Sequence, residues 1–121
     1  SCDVSGSWSL PRLVGLRNAM QIALLAETFD AQEALRLGLV NRVVPAESLN
    51  LEVDKLAKRL ASGPTQAYGR LKRLMRQSFE TTLADQLESE RLNFLASAET
   101  DDFKEALSAF FEKRKPAFKG V

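Results

Sequence analysis

Leu16, Ala19, Met20, Ala23 and Leu24 recur at three- and four-residue intervals, the spacing of one helix face. The rhythm extends to both sides and predicts a helix from Leu10 to Ala26. Pro11 falls in its first turn, where a missing N–H would be unpaired anyway. Gly15 divides a short turn of helix from a longer one. Asp30, with Glu33 three residues on, is a close relative of the capping box and starts a short helix. Gly38 is expected to stop that helix in a left-handed conformation. Leu39 to Val44 then breaks the rhythm. It is short, rich in β-branched residues and closed by Pro45, so it reads as a single strand or extended segment with no obvious partner strand.

Helical spacing returns from Glu47 to Ala61, where Leu49, Val53, Leu56 and Leu60 share a face. Ser62-Gly63-Pro64 is a break, and Pro64 opens the next helix, which runs to about Phe79 with Leu71, Leu74 and Met75 as its apolar face. A further helix covers Thr82 to Ala98, with Leu83, Leu87, Phe94 and Leu95 at near-heptad spacing. Thr100 or Asp101 caps a last helix, in which Phe103, Leu107, Phe110 and Phe111 recur every three or four residues. Lys113, Arg114 and Lys115 lie at its C-terminal end, where cations suit the helix dipole, and Pro116 stops it. No repeat or linker interrupts 1–121. The chain reads as a single domain of mainly α class with one short extended segment.

Composition removes several function classes. Lys and Arg number 17 against 16 Asp and Glu, which is not the basic footprint of a nucleic-acid binder. Arg70, Lys72, Arg73 and Arg76 do form a basic helix face; a solvated surface is the plain reading, and a phosphate or acidic-partner contact the alternative. No apolar run approaches the roughly 20 residues that span a bilayer, so no membrane partner is expected. No charged-then-apolar lead marks a signal peptide, and Cys2, the one cysteine, allows no internal disulfide. The expectation is a cytoplasmic chain. Histidine is absent, which excludes Ser-His-Asp and Cys-His catalysis within these residues and removes the commonest metal ligand. No metal site is expected. The chain does not begin with Met and reads as a processed, cloned or excised piece of something longer.

Two stretches point to a family. DAQEALRLGLVNRVVP resembles the segment of the crotonase (enoyl-CoA hydratase/isomerase) superfamily in which a short helix ends at Gly-Leu-Val and runs into a strand, and AFFEKRKPAFKG resembles its C-terminal end. DVSGSWSLPRLVG, at the start, resembles the loop and helix after the active-site strand region. The resemblance implies the C-terminal helical, trimerising region of the crotonase fold. The N-terminal spiral of ββα units, whose two backbone N–H groups form the oxyanion hole, is not among these residues. Within the superfamily, the combination DxxGSWxLPRLVG most resembles the ring-opening isomerases of phenylacetyl-CoA catabolism (epoxyphenylacetyl-CoA to oxepin-CoA).

The resemblance also implies site residues. Asp3 matches an aspartate that isomerases of the superfamily use as a proton shuttle at the acyl chain and a dehalogenase uses as a nucleophile. A carboxylate beside an apolar acyl pocket loses hydration, which favours its protonated form and suits it to general acid–base work; the oxyanion hole stabilises the enolate. Set against this, Asp3 is a solvated carboxylate near a chain end. Trp8 either walls an acyl or aromatic substrate or packs at a helix start. Phe94, Phe110 and Lys113 match residues that contact the adenine and phosphate of CoA in related hydratases, sometimes across a subunit boundary; Phe at helical spacing is otherwise ordinary core. The implied function is that of part of an acyl-CoA isomerase or hydratase, with no cofactor beyond the CoA thioester and no activity alone. The alternative is a helical self-association module. In either case the unshielded apolar faces favour a homo-oligomer, a dimer or trimer.

Overall fold

The computed structural model describes residues 3–121; Cys2 lies outside the described residues. The helices are α1 (Gly6–Val14), α2 (Leu16–Leu25), α3 (Ala31–Arg36), α4 (Leu49–Ala61), α5 (Thr65–Gln77), α6 (Leu83–Ala98) and α7 (Asp101–Phe111), with a 3₁₀ turn at Ala46–Ser48 ahead of α4. No strand forms among the described residues, so the mainly α class stands. Two compact units divide at Leu49 and Asn50.

In the first unit α1 and α2 form a helical hairpin turned at Gly15, whose φ of 78° is one that side chains other than hydrogen rarely adopt. Val14 and Ala19 are its buried apolar residues. α1 begins at Gly6, four residues before the expected start, and Pro11 stands inside it instead of in its first turn. The early start is local: the Ser5 carbonyl accepts from the N–H groups of Trp8 and Ser9, at 3.0 and 2.8 Å. Asp30 caps α3 as its spacing suggests, accepting from the Glu33 N–H at 2.8 Å. Gly38, at φ 78°, ends it with the two bonds of a Schellman turn, Gly38 N–H to the Leu35 carbonyl and Leu39 N–H to the Ala34 carbonyl. The segment after it is non-helical as far as Pro45, which is extended at φ −54° and ψ 143°, but it pairs with no strand.

In the second unit α5 and α6 run antiparallel. Gln77 Nε2 donates to Gln86 Oε1 at 3.3 Å, Gln86 Nε2 to the Leu74 carbonyl at 3.2 Å, and at the far end Arg70 reaches Ser97. Thr82 caps α6 and Thr100 caps α7, each accepting an N–H three residues on at 3.2 Å. Edge-to-face packing of Phe94 on Phe103, with centroids 6.1 Å apart, joins α6 to α7. Gly63, buried in the break between α4 and α5, lies directly under the Tyr68 ring. A Cβ there would sit 2.6 Å from Tyr68 Cε2 and closer still to its hydroxyl. Gly63→Ala should therefore cost about 1–3 kcal/mol of stability by overpacking. A urea titration checks this, and an unchanged midpoint would mean that the ring swings aside freely.

Little large apolar surface is covered. Among the described residues Val14, Ala19 and Ala109 are the buried hydrophobics, while Leu83, Phe110 and Phe111 are each at least three-quarters exposed. The four exposed ion pairs with i, i+3 spacing, such as Glu33–Arg36 and Glu88–Arg91, add little to offset this.

Candidate functional site

Asp3 opens a strained loop. Its carbonyl accepts the Gly6 N–H at 2.8 Å, and the two residues between, Val4 and Ser5, both have positive φ, 46° and 63°. A β-branched residue in that region is a genuine outlier, and such strain concentrates where a loop has a task. The Asp3 carboxylate is exposed. Beside its loop, Gly6, Leu10 and Pro11 of α1 face Ala19, Met20 and Leu24 of α2 across an apolar groove of about 240 Å³. Asp3 itself is not among the residues that line this groove.

Trp8 is half exposed, and its ring has a partner that the sequence reading did not assign. The Arg12 guanidinium carbon lies 3.9 Å from the ring centroid, while Arg12 Nη1 donates to the Trp8 carbonyl at 2.9 Å. The four-residue spacing of Trp8 and Arg12 was the available signal.

The second candidate set is split along α7. Phe94 packs on Phe103 in the first turn of α7, whereas Phe110 lies seven residues further on, about 10 Å along the axis. Phe110 packs edge-to-face with Phe111, with centroids 5.6 Å apart, and stays 77% exposed. Neither phenylalanine is ordinary buried core. Lys113 joins Phe110: its N–H donates to the Phe110 carbonyl at 3.2 Å, and Arg114 N–H donates to the Ala109 carbonyl at 3.0 Å. This is a Schellman turn whose left-handed residue, normally glycine, is Lys113 at φ 55°. It ends the helix before Pro116, so the expectation that the proline stops α7 is corrected.

The groups that shape this corner were not read from the sequence. Asp102, buried in the first turn of α7, accepts the N–H groups of Lys119 and Gly120 at 2.7 and 2.9 Å, and its own N–H donates to the Val121 carbonyl at 3.0 Å. Glu105, one turn on, accepts a two-pronged bond from Arg114, at 2.5 and 2.8 Å, and the Ala117 N–H at 2.8 Å. The Arg114 bond chiefly, the Ala117 N–H next and the nearby Lys119 charge hold the Glu105 carboxyl down at about 2. Depression below the ordinary 4.5 means that the unfolded chain takes up this proton first. The contribution to stability is therefore complete above about 4.5 and disappears as pH falls toward 2. Unfolding followed across that window should show a falling midpoint, and Glu105→Gln should flatten the fall, with a residual slope from Glu33 and Glu88, which their arginine neighbours hold low in the same way. An acid limb as steep in the variant as in the parent would refute this assignment.

No group of three or more His, Cys, Asp or Glu among the described residues could hold a metal ion, and no helix there is long and apolar enough to cross a membrane.

Comparison with known proteins places the chain in a family. The profile of the enoyl-CoA hydratase/isomerase family matches residues 2–121. The 1,2-epoxyphenylacetyl-CoA isomerase of Escherichia coli K12 is 36% identical over 118 residues, covering 98% of this chain and 45% of that protein. A probable enoyl-CoA hydratase of Mycobacterium leprae is 41% identical over 115 residues, covering 95% of this chain and 45% of its own length. The crystal structure of an enoyl-CoA hydratase from Bacillus anthracis superposes with a TM-score of 0.90 at 32% identity, covering 97% of this chain and 45% of that one. The chain thus spans under half the length of these relatives and matches the helical C-terminal part of their fold. By its motifs, its helices and these matches, the chain belongs to the enoyl-CoA hydratase/isomerase family of the crotonase superfamily.

Proposed function

We propose that these residues supply the acid–base edge and part of the CoA-binding surface of an acyl-CoA isomerase. Asp3 takes a proton from one carbon of the acyl chain and returns it at another. The thioester carbonyl carries the intermediate enolate charge. The groups that stabilise that charge belong to the N-terminal spiral of the family fold, so the 121 residues alone bind without turning over. The chemistry needs no cofactor besides the CoA thioester.

The observation that supports this reading is a match to the family throughout the chain, with Asp3 opening the left-handed turn of Val4 and Ser5 that leads into α1, and an apolar groove between α1 and α2 that begins at Gly6. An acyl group seated there would exclude water from one side of the carboxylate and favour its proton-carrying form. Trp8 borders the same loop and suits an unsaturated or aromatic acyl group. Phe110 and Lys113, adjacent at the end of α7, suit an adenine face and a phosphate. Phe94, on Phe103, would reach the nucleotide from the other end of that helix or serve a neighbouring subunit.

The test joins this chain behind the segment of a family subunit that it does not match and follows an enoyl-CoA thioester in deuterated water. Deuterium entering the acyl chain, and ceasing with Asp3→Asn in a folded protein, supports the role. Exchange that continues in the variant excludes it. Water addition without isomerisation would make the parent a hydratase. A second reading, helical self-association without catalysis, is favoured by the exposed apolar faces of α6 and α7. The two are compatible, because such faces can cover one another between copies.

A further inference from the structure

The tail after α7 folds back along the helix that precedes it and is tied down twice. Glu105 grips Arg114 and the Ala117 N–H; Asp102, one turn earlier on the same face, grips the N–H groups of Lys119 and Gly120. Between the ties Phe118 lines a cleft with Pro64, Ala67, Phe103 and Ala106. The apex of this hook is Lys113, whose left-handed backbone is unfavourable for any residue but glycine. That turn is held on one side by the last carbonyls of α7 and on the other by Arg114, the very next residue, in the Glu105 fork. A lysine is a point charge on a flexible stem, so the direction in which its backbone launches the stem decides how much freedom a bound anion must remove.

We propose that Glu105 and Asp102 are positioning residues for Lys113: acting through Arg114 and the tail amides, they fix the turn from which Lys113 meets the phosphate groups of CoA. The inference rests on the reading of Lys113 as a CoA contact. It also assigns a use to a pair of carboxylates that otherwise places negative charge near a site for an anion. Simple electrostatics makes the opposite prediction, since removing the Glu105 charge should strengthen anion binding.

Calorimetric titration of the chain with CoA separates the two. Lys113→Ala should weaken binding about 10-fold or more, the loss of one charge-assisted contact. Glu105→Gln should weaken it by a comparable factor, and the double variant should be no weaker than Lys113→Ala alone, because both changes remove the same contact. Arg114→Lys, which keeps the charge but loses the fork, should also weaken binding, and it serves if Glu105→Gln fails to fold. If Lys113→Ala weakens binding while Glu105→Gln and Arg114→Lys leave it unchanged or tighter, the positioning role is wrong and the Lys113 contact stands. Losses that add in the double variant likewise overturn positioning. If Lys113→Ala has no effect, or CoA does not bind, the reading of Lys113 fails and this inference fails with it.

Discussion

Asparagine in place of Asp3 is expected to lower turnover of an enoyl-CoA thioester by about 10²–10⁴-fold in a complete subunit built on this chain, the range for losing a general acid–base group. The substitution is nearly isosteric. It leaves the Asp3 carbonyl free to accept the Gly6 N–H, so the left-handed turn through Val4 and Ser5 should survive. What is lost is the ability to hold a proton. The expected signature is therefore a fall in kcat with little change in the affinity for acyl-CoA, since the CoA contacts proposed above are made by other residues. Steady-state kinetics with circular dichroism as the folding control measures this. A kcat within a factor of a few of the parent would remove Asp3 from the mechanism, and a rise in KM alone would make it a binding residue.

The second large effect concerns association. Leu83 and Leu87 stand one turn apart on α6 and are 75% and 55% exposed. Covering a Leu side chain is worth about 1.5–3 kcal/mol, so the pair supplies several kcal/mol to any interface that buries both. At micromolar concentration the chain is expected to sediment as a dimer or trimer. Leu83→Lys combined with Leu87→Lys should lower the association constant by about 10²–10⁴-fold. Since both side chains are already exposed within the chain, the helices themselves should remain, which distinguishes lost association from lost folding. A monomeric mass for the parent would contradict the proposal outright.

Much of the helical frame was legible because it is written locally. Asp30 with Glu33, Thr82 with Asp85 and Thr100 with Phe103 are caps in which one side chain satisfies an N–H three residues on. Gly38 ends α3 because only a residue without a Cβ adopts that turn cheaply. The two misplaced boundaries have one cause. Proline rules drew the start of α1 toward Pro11 and the end of α7 toward Pro116, while the actual boundaries are left-handed turns at Ser5 and Lys113. A serine or lysine carries no sequence mark of that conformation. The extended segment before Pro45 was visible, but whether it finds a partner depends on contacts outside the segment.

At the candidate site, the proposals for Asp3 and Lys113 rest on motif resemblance. The hook was not legible in the sequence, because Asp102 meets backbone groups 17 and 18 residues away, and the chemistry at the far end is only amide N–H, which every residue has. Only the i, i+3 spacing of Asp102 and Glu105 ahead of a basic tail hinted at it. The burial of a carboxylate in a first helical turn was legible only in three dimensions.

Equilibrium titration of the chain with an acyl-CoA, by calorimetry, tests the central claim most directly. The account predicts saturable binding of acyl-CoA, weakened when the nucleotide is removed from the thioester, because the proposed contacts of Phe110 and Lys113 are to the nucleotide. Heats no larger than those of dilution would contradict it and would leave these residues as an association module of the family.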